Sequence, residues 1–162
     1  MQGQFNALEV MEMAKDIEKR GKMFYLKHAE ASEDRDVRDL FKKLAADEEE
    51  HYQKLQNLTE ELKEGADNAD YLYDEEVSSY FNSLVEFTVF PPLDSKESIE
   101  ALNDINKALK LAVRAEKDAI LFYREMCANN SGKTIEAVER LIKEKKENLQ
   151  SLAKYIKEYG SK

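Results

Sequence analysis

Three long stretches of this chain each carry a glutamate in the middle of an otherwise apolar helical stripe. This feature constrains the fold most. In one stretch the stripe reads Val37, Leu40 or Phe41, Leu44, Glu48, His51, Leu55, Leu58, Leu62, in steps of three and four without a slip. A later stretch gives Leu102, Ile105, Leu109, Ala112, Glu116, Ala119, Tyr123, Met126. The first gives Leu8, Met11, Ala14, Glu18, Gly21, Tyr25, His28, with Ile17 competing with Glu18 for the inward slot. Burying an ionised carboxylate without a partner is very costly, and clustered carboxylates also repel one another. Three at matched height therefore require a cation between them, or bound protons. A metal ion is the simplest answer. A glutamate at i and a histidine at i+3, as in Glu48 and His51, point from one helix face toward a common point. Oxygen ligands with an imidazole suit iron, manganese or zinc. Alone, His51 reads as a hydrogen-bonded core histidine and Glu-x-x-His as a chance pattern; the three matched carboxylates carry the specificity.

The same periodicity predicts four long helices, at about 5–31, 34–64, 95–128 and 133–159. Ser32 to Asp34 supply an N-cap and an acidic first turn for the second. Gly65 stops it. Ser95 and Ser98 follow Pro91-Pro92 and start the third. Asn129-Asn130-Ser131-Gly132 turns the chain into the fourth, which Gly160 ends. Helices one and two join through a short turn, as do three and four. Between the hairpins lie about 30 residues, enough for one long crossover. Within it, 74–87 can form a further helix with an apolar face of Val77, Tyr80, Phe81, Leu84 and Val85, ended by Phe90-Pro91-Pro92. It reads as a lid across the bundle, with a homodimer contact as an addition.

Composition agrees with an all-α chain: apolar residues are 42%, charged residues 36%, and Gly (5) and Pro (2) are scarce. The net charge of -9 argues against binding nucleic acid or an anionic membrane surface. No apolar run is long enough to span a bilayer, and the N-terminal stretch lacks the apolar core of a signal peptide, so a cytoplasmic location is expected. The single cysteine, Cys127, excludes a four-cysteine iron site within this chain and reads as a small buried hydrophobe. Lys110, Arg114 and Lys117 read as a solvated face, with Asp118 as the i+4 partner of Arg114. His28, near a helix end, reads as solvent-facing or capping, and Tyr25 and Tyr123 as core aromatics.

The two hairpins also resemble each other. Glu18-Lys19 is followed by Phe24-Tyr25, and Glu116-Lys117 is followed at the same offset by Phe122-Tyr123. Aligning Leu44 and Leu55 with Leu141 and Leu152 places Lys145 opposite Glu48 and Asn148 opposite His51. With these residues in view, the chain resembles the rubrerythrin branch of the ferritin-like superfamily over nearly its whole length. The resemblance implies a single ferritin-like domain, an antiparallel four-helix bundle with one long helical crossover. It also implies a di-iron or other dimetal site, with one glutamate from each of helices one and three and a Glu-x-x-His from each of helices two and four. Many such proteins act on peroxide or dioxygen, and others store iron. On that pattern Glu18, Glu48, His51 and Glu116 are metal ligands. An external electron donor would be needed.

The fourth helix departs from the pattern. Its stripe reads Ile135, Val138, Leu141 or Ile142, Lys145, Asn148 or Leu149, Leu152, Ile156, so Lys145 and Asn148 stand where the pattern has Glu and His. Glu144 and Glu147 are each rotated by about 100° from the matching positions. Three arrangements are compatible with this stripe: a rotated helix in which Glu144 or Glu147 completes a two-metal site, one metal on Glu18, Glu48, His51 and Glu116, or the Lys145 ammonium in the second metal position, paired with Glu116 and a neighbour. The functional expectations are a metal-binding protein with oxidoreductase chemistry or, alternatively, a non-catalytic binding or structural bundle in which Lys145 neutralises the former site.

Overall fold

The computed structural model describes residues 7–65, 90–129 and 133–160. Among them are five helices: α1 (Ala7–Ala31), α2 (Arg35–Gly65), α3 (Lys96–Ala101), α4 (Ile105–Asn129) and α5 (Lys133–Gly160). The chain is all-α, with α1 packed on α2 and α4 on α5, and the hairpins joined by α1–α4 and α2–α5 contacts. The anticipated crossover helix at 74–87, with its lid and dimer roles, lies outside the described residues. None of the described helices is long and apolar enough to cross a membrane.

Local chemistry sets the helix ends. Asp34 caps α2: its carboxylate accepts from Val37 N at 3.1 Å and its carbonyl from Arg38 N at 2.9 Å. The Arg38 guanidinium reaches back to the Ser32 carbonyl at 2.9 and 3.2 Å and closes the α1–α2 turn. The third long helix, expected as one piece over 95–128, is two. Ser95 caps α3, its hydroxyl accepting from Ser98 N at 3.2 Å. The chain then turns at Leu102–Asp104, and Asp104 caps α4, accepting from Lys107 N at 3.2 Å. Asp104 offers its carboxylate to the backbone in place of the helical ladder, which is why the apolar period runs on through the sequence while the helix does not. Arg114 is not confined to its own helix. It clamps Glu97 at 2.9 and 3.4 Å and ties α3 to α4.

Described residues of these stripes supply much of the core. Val37, Leu40, Phe41, Leu44 and Leu55 of α2 are buried, as are Met11, Ala14 and Tyr25 of α1 and Leu109, Ala112, Ala119 and Tyr123 of α4. Ile17 is buried alongside Glu18, so both fit the inward face. Cys127 is half-buried rather than buried, and desolvation with the Glu139 charge pushes its thiol pKa up.

His28 is another departure. Instead of facing solvent or capping, it is 2% exposed, with its ring 4.3 Å from Phe24 and 6.1 Å from Phe41. The helix end lies so close to the core that the side chain turns inward. Burial, helped by Lys27, lowers its pKa from 6.5 to about 4. The unfolded chain therefore takes up a proton near pH 6.5 while the folded chain stays neutral to about pH 4. Stability from this residue is complete above pH 6.5 and is lost as the pH falls toward 4. Urea unfolding between pH 8 and pH 4 should show His28→Leu losing less stability on acidification than the parent chain.

Candidate metal centre

Four helices meet at one charged point inside this bundle. Glu18 from α1, Glu48 from α2, Glu116 from α4 and Lys145 from α5 are each 0% exposed, and His51 is 2% exposed. Lys145 Nζ lies 3.2 Å from Glu18 Oε1, 3.2 Å from Glu48 Oε1 and 3.4 Å from Glu116 Oε2. Lys145 thus points inward, and α5 is not rotated to bring Glu144 into the cluster. Nor does Glu147 enter it; that residue is exposed. The sequence suggested that the ammonium would pair with Glu116 and one neighbour. It reaches two, Glu18 and Glu48.

The close packing depends on a missing side chain. A Cβ at Gly21 would lie 2.8 Å from a Phe90 ring carbon and 2.9 Å from Glu48 Oε2. Glycine on the α1 stripe therefore leaves the space in which the Glu48 carboxylate sits.

Two hydroxyls fix the other carboxylates, and they do so crosswise. Tyr25 of α1 donates to Glu116 Oε1 of α4 at 2.7 Å. Tyr123 of α4 donates to Glu18 Oε1 of α1 at 2.5 Å. Burial first, and the neighbouring carboxylate second, push both phenol pKa values well above 10, so the hydroxyls remain donors. The sequence reading as core aromatics is right about burial but misses this role. The available signal was the identical seven-residue step from Glu18 to Tyr25 and from Glu116 to Tyr123, which places each tyrosine two turns along its own stripe and facing the other hairpin.

The electrostatics follow from dryness opposed by charge. Burial alone would raise the pKa of Glu18. The Lys145 ammonium, with His51 and Tyr123, outweighs it and holds the carboxyl below its usual range. Burial would lower the pKa of Lys145, but Glu116 and Glu18 outweigh it and raise it. One ammonium balances one carboxylate charge. The other two of the three need bound protons or a divalent cation.

His51 supplies the remaining donor. Its Nε2 lies 2.6 Å from Glu144 Oε2, and Lys54 holds the other Glu144 oxygen at 3.0 Å. Burial would raise the Glu144 pKa, but Lys54 and His51 outweigh it and keep the group acidic. Glu144 is thus the outer partner of the histidine. With Nε2 held by Glu144, the ring turns Nδ1 inward toward Glu18; an outer carboxylate of this kind is what orients metal-ligating histidines. Nδ1 lies 3.5 Å from Glu18 Oε2, and neither atom has a hydrogen-bond partner. One ligand atom from each of Glu18, Glu48 and His51 lies within 4.8 Å of the others. Two ligands of one ion stand about 3 Å apart when adjacent and about 4.2 Å when opposite, given bonds near 2.1 Å. The donor set therefore fits one divalent ion after small side-chain movements. A second ion does not fit, because Lys145 Nζ contacts the same carboxylates and Asn148 offers an amide in place of an imidazole.

The rubrerythrin family model matches residues 9–101. The chain belongs to the rubrerythrin family. The matched span contains Glu18, Glu48 and His51, whereas Glu116 and Lys145 lie beyond it. A crystal structure from Thermotoga maritima, titled as a candidate ferritin-like diiron-carboxylate protein, is similar with a TM-score of 0.71. The two are 20% identical, and the alignment covers 98% of this chain and 99% of that one. This likeness establishes the ferritin-like fold. No curated protein sequence matches the chain.

Two substitutions test the charge balance and packing of this buried cluster. Lys145→Met removes the ammonium from among three buried carboxylates and should cost about 3–5 kcal/mol in urea unfolding of metal-free protein. Gly21→Ala should cost about 1–3 kcal/mol by overpacking against Phe90 and Glu48, read as a lowered Tm.

Proposed function

We propose that this protein binds a single divalent metal ion on Glu18, Glu48 and His51, with the Lys145 ammonium standing where a dimetal relative would hold its second ion. The observation that carries this reading is the pair of facing, unpartnered donors, Glu18 Oε2 and His51 Nδ1, beside a carboxylate cluster that one ammonium only partly balances. Iron, manganese and zinc all suit oxygen ligands with one imidazole. Such an ion would supply Lewis acidity or, if iron or manganese, a one-electron couple. The protein's own contribution is to keep the site dry, to orient the carboxylates through Tyr25 and Tyr123, and to orient the His51 ring through Glu144.

This reading narrows the chemistry expected of the family. Reducing peroxide takes two electrons, and the described residues include no four-cysteine site to supply them, so a redox-active ion held here would depend on an external electron donor. The contacts of Lys145 with three carboxylates also favour a second reading, a non-catalytic bundle in which the lysine alone stabilises the former site.

Elemental analysis of protein purified without chelator separates them. The metal-binding reading expects about one ion per chain. It also expects a 10–100-fold loss of affinity in Glu144→Ala, where the orienting partner of His51 is removed. Glu48→Gln and His51→Ala should weaken binding further. Metal-free protein that takes up no manganese, iron or zinc in calorimetric titration would leave only the structural bundle.

A further inference from the structure

Outside the buried cluster, a cavity of about 370 Å³ opens beside α2 and α5. Four carboxylates, Asp47, Glu50, Glu144 and Glu147, line it, with His51 and Asn148 as its buried members. Lys43 is the one basic residue in this lining, and it already pairs with Asp47 at 3.0 Å. Asn148 is 4% exposed, and its side-chain amide nitrogen has no hydrogen-bond partner. A buried, unpartnered amide beside a carboxylate-lined space suits a polar, hydrated guest and not an apolar one. An anion would be repelled by the four acids.

His51 joins this cavity to the cluster behind it. Its Nε2 meets Glu144, which lines the cavity, while its Nδ1 faces Glu18 in the interior. The imidazole is therefore the wall between a solvent-facing acidic space and the buried donor set. Clefts lined by one sign of charge and walled by low-dielectric protein concentrate counter-ions and speed their capture. We infer that this cavity is the loading port through which a hydrated divalent cation reaches Glu18, Glu48 and His51, with Asp47, Glu50 and Glu147 drawing it in. The inference rests on the single-ion reading above, but it concerns the rate and route of loading rather than the ligands.

The test is stopped-flow binding of Co²⁺ to the metal-free full chain, followed by the cobalt d–d absorption. A triple variant, Asp47→Asn with Glu50→Gln and Glu147→Gln, leaves every proposed ligand and Glu144 in place. Its association rate should fall at least about tenfold at low ionic strength. The difference should shrink at about 1 M salt, where the Debye length is only about 3 Å. Lys43→Gln should speed loading. A charge-matched control near the α1–α2 turn, Glu30→Gln with Glu33→Gln and Asp39→Asn, should load like the parent. The port is overturned if the triple variant binds Co²⁺ at the parental rate, or if the control slows it equally. Should the parent chain bind no Co²⁺, or should His51→Ala bind it as tightly as the parent, the single-ion reading fails and takes the port with it.

Discussion

The Lys145 ammonium, set among three buried carboxylates, is the interaction on which the interior of this bundle depends. Four helices each contribute one charged group to the same point, and none of those groups reaches water. Desolvating them is unfavourable, and the Lys145 ammonium, with the Tyr25 and Tyr123 hydroxyls and His51, offsets part of that cost. The pKa directions express that balance. Burial pulls Glu18 and Lys145 toward their neutral forms, and each is held ionised by the charges around it. A hydrophobic core tolerates small shifts of its helices. A charge cluster with contacts of 3.2–3.4 Å does not, so it also fixes the relative height of all four long helices.

The surrounding residues accommodate this cluster. Gly21 provides room for Glu48, and Phe90 closes over the same space. Phe90 packs 5.5 Å from Phe24 and 5.6 Å from Tyr25, so the aromatic layer beside the site also carries one of its hydrogen-bond donors. On the far side, Glu144 and Lys54 hold the outward edge of His51. The imidazole is therefore held at its solvent-facing edge, while its inner nitrogen has no hydrogen-bond partner.

Much of this was legible in the sequence because helical period reports which face is buried. The inward placement of Glu18, Glu48, His51 and Glu116 followed from steps of three and four, and that of Lys145 from the same rule applied to α5. Periodicity reports the face but not the contacts across it. The reach of Lys145 to three carboxylates, the role of Glu144 as partner to His51 and the space left by Gly21 all depend on interhelical distances that no single helix encodes. The break between α3 and α4 was hidden for a related reason. Leu102 and Ile105 keep the apolar step of three, and only the capping capacity of Asp104 marks the interruption. Nor does a place near a helix end reveal the burial of His28, because Phe24 and Phe41 extend the core past that end.

The crossed hydroxyls have a consequence for how such a chain could be assembled. Each hairpin carries a glutamate together with a tyrosine that serves the other hairpin's glutamate. Alone, either hairpin would expose an acid without its donor and a phenol without its acceptor. Two identical hairpins facing each other across a two-fold axis would satisfy both by reciprocal exchange. The single polypeptide keeps that dyad internally, and Lys145 opposite Glu48, with Asn148 opposite His51, breaks the symmetry by giving the two halves unlike groups at the centre.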